Sequence, residues 1–361
     1  MPPRRRRAET ARRYRHWLLA LLVAAGMLAG ATLWAYAPDL PAEVLIQRYA
    51  TPQSSFIDVG GVRTHIRDTG QNTGQNGGDP DAIPLILIHG SLESLDVWDG
   101  WATELAHRAR VITVDLPGHG LTGTWARDEY TIDAYADFIE VLADTLHLDR
   151  FALGGHSMGG AVAWSFASTR PERVSHLILV DSAGFPGTGR TPLSVRLARL
   201  PWIGGIGIYF KPDSHVRETL LDVYADPAMV TPERVKRYAE LQRFPGNRRA
   251  TLERLRTQEP LDPTTLKRLD VPTLILWGAK DKWLPVADAF HFQSSIKGAR
   301  LEIFEKSGHN PMEEDPVATA AAVDAFLPEK LEARPEPPMP AAPNDAATGG
   351  QVRPASEPDK D

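Results

Sequence analysis

The chain has 361 residues, a mild net charge of −6, an apolar share of 42% and no cysteine. That size and apolar share suffice for one large domain with appendages or two modest domains, and the charge gives no electrostatic reason to expect nucleic acid as a partner. The missing cysteine excludes disulfides, thiolate nucleophiles, Cys-ligated zinc and lipid attachment through an N-terminal cysteine, and it leaves the redox compartment open.

Residues 1–16 form a basic tail containing Arg4, Arg5, Arg6, Arg7, Arg12, Arg13 and Arg15. Residues 17–37 (WLLALLVAAGMLAGATLWAYA) then run almost without polar side chains. About 20 apolar residues are what a helix needs to cross a bilayer core. Trp17, Trp34 and Tyr36 lie near the two ends, where aromatic belts belong. Arg on the leading flank keeps the N-terminus cytoplasmic, so the sequence predicts a single-pass membrane anchor with everything beyond it in the periplasm or extracellular space. A cleaved signal peptide competes, with Ala29-Gly30-Ala31 as a site, although the apolar run continues past it and Pro38 follows Ala35-Tyr36-Ala37. A buried helix of the soluble domain is the third reading, and it gives the Arg cluster no purpose.

Between residues 54 and 327, short β-rich runs alternate with helical ones. Residues 54–59 and 62–68 flank Gly60-Gly61 and predict a hairpin. The runs at 84–89, 110–115, 151–155, 176–181, 272–277 and 300–304 have the length and β-branched content of strands buried in a parallel sheet. Residues 131–146 place Ile132, Tyr135, Ile139, Leu142 and Leu146 at helical spacing behind a capping Thr131. This alternation predicts a doubly wound α/β core over residues 54–183 and 271–327. Residues 184–270 interrupt it with candidate helices at 192–200, 214–224 and 231–243. An excursion of this length reads as a helical cap over the strand ends, where ligands bind; a decorative surface insertion is the alternative. Residues 70–82 read as a flexible loop and residues 328–361, rich in Pro, Ala and charge, as a disordered tail.

Gly155-His156-Ser157-Met158-Gly159 lies between a strand-like run and the helix-like AVAWSFAST, the setting that a G-x-S-x-G nucleophile elbow requires. Side chains at the flanking glycines would collide with the neighbouring strand and helix. A serine hydroxyl is a weak nucleophile and needs a base. His309 follows the strand at 300–304, and Asp281 follows the one at 272–277. Ser157, Asp281 and His309, in that chain order, form a candidate catalytic triad. The backbone N–H groups of Ser91 and Met158 are the candidate oxyanion hole, and Gly90 permits a close turn there. The sequence contains no metal-ligand spacing and no Gly-rich phosphate loop joined to a Lys.

The segments HG (89–90), DLPGHGLTG (115–123), GHSMGG (155–160), WGAKD (277–281) and SGHNPMEEDP (307–316) resemble the α/β-hydrolase superfamily over about residues 55–327. Within it the chain looks like helical-capped esterases and related carbon–carbon bond hydrolases. The resemblance implies an eight-stranded, mostly parallel sheet with a helical cap, hydrolase activity and no cofactor. Haloalkane dehalogenases and epoxide hydrolases of this fold use Asp at the elbow, so Ser157 argues against both. Carbon–carbon hydrolases commonly carry a Trp after the catalytic His and a Gly-rich oxyanion loop; Asn310 and HGSLES depart from both and favour an esterase.

The expected reaction is therefore hydrolysis of an ester with a small to medium hydrophobic acyl group, through an acyl-enzyme. Carbon–carbon bond hydrolysis of a diketone-type substrate by the same triad is the second reading, and a cofactor-free perhydrolase side activity is a third. A non-catalytic binding protein on this scaffold is the rival from another class. The expected partners are a small-molecule substrate and the membrane. Trp202, Tyr209 and Phe210, in the cap, are the candidate substrate contacts. Other residues read as structural: His156 packs under the elbow, His89 supports the oxyanion loop, and Asp115 and His119 organise a loop. Trp98 and Trp101 read as core. Asp181 is an alternative acid in a less usual place. Asp128, Glu129 and Glu313-Glu314-Asp315 read as solvated surface charge.

Overall fold

The structure, a computed structural model, describes residues 3–70, 82–185, 200, 205, 209, 213–257 and 260–330. Trp202, Phe210, most of the candidate helix at 192–200 and nearly all of the segments expected as a flexible loop and a disordered tail lie outside the described residues.

Eight strands form one sheet in the order β1-β2-β4-β3-β5-β6-β7-β8. They are β1 (Ser54–Val59), β2 (Val62–Asp68), β3 (Ile83–Ile88), β4 (Ala109–Val114), β5 (Phe151–His156), β6 (Val174–Val180), β7 (Thr273–Gly278) and β8 (Arg300–Phe304). The first two pair antiparallel as a hairpin, β2 runs antiparallel to β4, and all later pairs are parallel. The sequence pattern had extended three strands to His89, Asp115 and Asp181, and the sheet ends just before each of them. These polar residues leave the sheet at its carboxyl edge and enter the loops that build the site.

Helices cover both faces. One face packs Ile88, Val114 and Leu179 against Tyr135, Phe138 and Leu142 of the helix Ile132–Thr145 and against Phe166 of Met158–Thr169. The Thr131 hydroxyl caps the first of these helices, accepting from Ala134 N–H at 3.2 Å. The other face packs Leu87 and Val180 against Trp98, Trp101 and Val323. Burial of each such side chain stabilises the fold by about 1.5–3 kcal/mol. Trp98 and Trp101 are fully buried, and Trp101 donates to Thr319 Oγ1 at 2.8 Å, so both belong to the core as expected.

The segment expected as a cap contributes the described helices Asp213–Val223, Pro232–Leu241 and Asn247–Thr257, and Val223 O accepts His309 N–H at 2.8 Å. Val216, Leu220, Tyr224, Val235 and Tyr238 give them a small core of their own. The sequence pattern did not mark the third helix, because its run NRRATLERLRT is dominated by Arg and shows little apolar stripe.

At the N-terminus Pro3–Ala35 is helical, and Arg12–Ala35 is the stretch, among the described residues, long and apolar enough to cross a membrane. None of that stretch is buried. The chain then returns to the cap: Leu40 N–H donates to Arg243 O at 2.8 Å, and Arg248 pairs with Asp39.

Candidate active site

Ser157 stands between β5 and the helix Met158–Thr169 with φ 51° and ψ −115°. A non-glycine residue at positive φ is strained and must be held by its surroundings. Three backbone bonds hold it here: Ser157 N–H donates to Val180 O at 3.0 Å, and Ser157 O accepts from Ala161 N–H at 3.2 Å and Ala183 N–H at 2.9 Å. A side chain on Gly155 would strike the Gly159 carbonyl, and one on Gly159 would strike the carbonyls of Ile88 and His89. The glycines are therefore steric requirements of the elbow.

His309 and Asp281 come together as the sequence predicts. His309 Nδ1 and Asp281 Oδ2 are 2.7 Å apart, and Asp281 Oδ1 accepts the N–H groups of Trp283 at 2.7 Å and Leu284 at 3.0 Å. Burial works to raise the Asp281 carboxyl, but His309 and the two N–H donors outweigh it and hold the group below the usual carboxylate range. With Nδ1–H directed at Asp281, His309 keeps Nε2 free for a proton. Ser157 and His309 line the same cavity, and no hydrogen bond joins them among the described residues. Such bonds are often long before substrate is bound.

Asp181 is fully buried and accepts from Gly278 N–H at 3.0 Å. Burial and then the charge of Asp281 push its carboxyl well above the usual range. Asp181, Asp281 and His309 are the described group compact enough to share a metal ion, with donor atoms within 4.8 Å. The Asp281 oxygens and His309 Nδ1 are already spent on one another and on backbone donors.

The N–H groups of Ser91 and Met158 carry no hydrogen bond among the described residues, and both residues line the cavity that holds Ser157. His89 is fully buried: its Nδ1 lies 2.7 Å from Gly90 O and its Nε2 accepts from Leu116 N–H at 3.1 Å. It supports the loop that carries Ser91. Asp115 organises its own loop, accepting from Leu95 N–H at 2.7 Å and Leu121 N–H at 2.8 Å.

Glu93 was missed by the sequence reading. Its Oε2 accepts Gly90 N–H at 2.8 Å and faces His156 Nδ1 at 2.9 Å, while Oε1 accepts the Asn310 side chain at 2.9 Å. The other nitrogen of His156 lies 2.8 Å from His309 O, which can only accept. Both ring nitrogens thus face acceptors, so His156 is an imidazolium paired with a Glu93 carboxylate. Burial opposes both charges, yet the pairing wins: Glu93 is lowered to about 2 and His156 is raised above its ordinary 6.5. His156 does pack under the elbow, and it carries a charge that no local pattern announces. The pair ties the oxyanion loop, the elbow and the backbone of His309 into one unit.

Two expectations need correction. Glu313 and Glu314 are not solvated: Glu313 accepts from Tyr224 Oη at 2.5 Å and from Asn310 at 2.9 Å, and Glu314 accepts from Gly308 N–H at 2.7 Å and Ala225 N–H at 2.9 Å. They clamp the His309 loop to the cap. Tyr209 packs on Tyr36, with ring centroids 6.4 Å apart, and under the Arg248 guanidinium at 4.7 Å. It is not among the described residues that line the cavities at Ser157. The returning N-terminal segment claims its ring, an arrangement that helical spacing within the cap does not reveal.

Ser157 and Ser91 stand between two cavities. The larger, about 470 Å³, is walled by Ile132, Met158, Ala161, Trp164, Leu261 and Arg254, among others. The smaller, about 100 Å³, is lined by His309, Trp283, Val216, Leu220 and Tyr238, among others.

The profile of the alpha/beta hydrolase fold family matches residues 83–316. The chain belongs to that family. A 2-hydroxymuconate semialdehyde hydrolase of Pseudomonas sp. is 28% identical over 285 residues, 76% of this chain and 93% of that protein. A pimeloyl-[acyl-carrier protein] methyl ester esterase of Nitrosomonas europaea is 30% identical over 283 residues, 73% of this chain and 98% of that protein. Among solved structures, a bacterial membrane phospholipase A superposes with a TM-score of 0.63 at 26% identity, over 87% of this chain and 98% of its own. These α/β-hydrolase relatives thus include enzymes named for different substrates.

Proposed function

We propose that the chain is a serine hydrolase that cleaves an ester of a small to medium hydrophobic acyl group. The observation that carries this is Ser157 on a strained turn, sharing a cavity with a His309 that is paired to Asp281 at 2.7 Å. Ser157 Oγ attacks the ester carbonyl while His309 Nε2 takes its proton. The N–H groups of Ser91 and Met158, with the N-terminus of the helix Met158–Thr169 beneath, receive the oxyanion. His309 returns the proton to the leaving alcohol, and the acyl group stays on Ser157. Water, deprotonated by His309, then releases the acid and restores Ser157. Asp281 keeps the imidazole in the required tautomer throughout.

Carbon–carbon bond hydrolysis is kept as a second reading because the 2-hydroxymuconate semialdehyde hydrolase is matched over 93% of its length. The apolar helix behind the Arg cluster supports an N-terminal anchor with the hydrolase domain outside the cytoplasm. Residues 184–270 serve as the cap in this reading.

The test is turnover of 4-nitrophenyl butyrate by the full chain in detergent, with Ser157→Ala beside it. Where a triad acts as a unit, losing the nucleophile costs about 10⁶ in turnover. Activity that survives Ser157→Ala would sink the mechanism. A folded wild type that also fails to react with a fluorophosphonate at Ser157 would leave a binding protein.

A further inference from the structure

Arg254 lies on the cap helix Asn247–Thr257 and forms part of the wall of the larger cavity, together with Ser157 and Ser91. Its Nη2 donates to Ser91 Oγ, and its Nε is shielded from solvent without an acceptor. Four other arginines among the described residues have a shielded nitrogen without an acceptor, and three of them, Arg67, Arg108 and Arg234, sit beside a carboxylate: Asp96, Asp324 and Glu313, respectively. No carboxylate among the described residues pairs with Arg254. Asp133 and Asp262 line the same cavity, yet Asp133 accepts from Ser165 and Asp262 from Thr264, and neither is within ion-pair distance of Arg254. Burial pulls the guanidinium below its ordinary value with almost nothing to offset it. A half-buried cation with no counter-charge among the described residues is held at a cost, and an anion entering the cavity would supply that counter-charge.

The two cavities decide which half of the substrate carries the anion. His309 must reach the leaving oxygen, and it lines the small cavity only. The alcohol therefore occupies the small cavity and the acyl part the large one. Ser91 contributes both the oxyanion N–H and the hydroxyl held by Arg254, which puts the guanidinium within a few bonds' reach of the reacting carbonyl. We propose that the acyl part of the substrate bears an anionic group, a carboxylate or a phosphate, seated on Arg254. This rests on the ester-hydrolase reading above and narrows its hydrophobic acyl group to one that carries a charged end. The products are then the alcohol and an acid with a second anionic group.

Three esters of equal chain length test it on the full chain in detergent, by titrating the acid released: methyl pentanoate, monomethyl glutarate and methyl 4-phosphonobutanoate. Charge-assisted hydrogen bonds of this kind predict that one of the anionic esters exceeds the neutral one by about tenfold or more in kcat/KM, mainly through KM. Which one leads tells carboxylate from phosphate. Arg254→Gln should bring that ratio close to one and Arg254→Lys should keep part of it, whatever happens to the neutral ester. A wild type without preference, or a preference that Arg254→Gln leaves intact, overturns the proposal and leaves Arg254 as a support for Ser91. If no ester turns over, equilibrium binding of glutarate and inorganic phosphate to the Ser157→Ala chain, with and without Arg254→Gln, separates the two ideas. Arg254-dependent binding keeps the anion site while the ester reading fails, and no binding overturns the anion site too.

Discussion

Glu93 and Arg254 both touch the loop that carries Ser91, Glu93 through Gly90 N–H and Arg254 through the Ser91 hydroxyl, and both charges are withdrawn from water, Glu93 nearly completely and Arg254 in part. Glu93 meets Gly90 N–H, the Asn310 side chain and the His156 ring, all within 2.9 Å. Arg254 meets the Ser91 hydroxyl and leaves its Nε without an acceptor. The first charge is consumed by the protein and buys geometry, holding three loops of the site in register. The second is left over, which is the condition of a group that meets its partner in a ligand. Burial alone does not separate a structural charge from a binding one; the count of partners does.

Asp281 offers the sharpest way to extend the comparison, since it too is a carboxylate paired with a histidine, and in the proposed mechanism that histidine, His309, gains and loses a proton. Asp281→Asn is expected to lower kcat on 4-nitrophenyl butyrate by about 10⁴ with the fold retained, because the imidazole loses its tautomer control. A loss under about tenfold would transfer the acid role to Asp181. Next in size is Glu93→Ala, which strands the His156 charge and should cost about 3–5 kcal/mol of unfolding free energy in a denaturant titration. Replacing Glu93 and His156 together by Gln should cost less than Glu93→Ala alone, and a purely additive result would remove the ion pair from the account.

The same pair sets a pH window. Glu93 is lowered from 4.5 to about 2, so its stabilisation is complete above 4.5 and lost as pH falls toward 2. His156 is raised above 6.5, so its stabilisation is complete below 6.5 and lost as pH climbs through the raised value. The stability gap between wild type and Glu93→Gln should therefore be widest between pH 4.5 and 6.5. A gap that is flat across that range and beyond it would mean that the pair is uncharged. The smallest effect is expected at Arg254→Met, which removes a charge with no counter-ion among the described residues and should leave stability unchanged or raise it by about 1 kcal/mol. A loss as large as that of Glu93→Ala would show that Arg254 has a structural partner after all.

The legible features share a cause. The elbow was readable because a serine forced to positive φ needs small neighbours at fixed offsets, a constraint contained in a few residues. Asp281 and His309 were readable because strand patterns mark where the chain leaves the carboxyl edge of the sheet. The Glu93–His156 pair joins segments far apart in the chain, and nothing in HGSLES or GHSMGG distinguishes it from ordinary loop polarity. Glu313 and Glu314 were misread because an acidic cluster is usually solvated; here Tyr224, Asn310 and backbone N–H groups of the cap and the His309 loop close over it. The surroundings of Tyr209 were not legible, because its partners, Tyr36 and Arg248, come from the N-terminal segment and a distant helix.

By itself the sequence determined the alternating α/β core, the apolar N-terminal span, the elbow and the order of the three candidate catalytic residues. These follow from local sterics and hydrophobic periodicity, which act between near neighbours in the chain. Tertiary structure alone decided which buried charges are paired, that Ser157 lies between a large and a small cavity, and that Arg254 faces the larger one without a counter-ion among the described residues. Desolvation and pairing depend on what distant segments bring to one point, and no spacing along the chain encodes that.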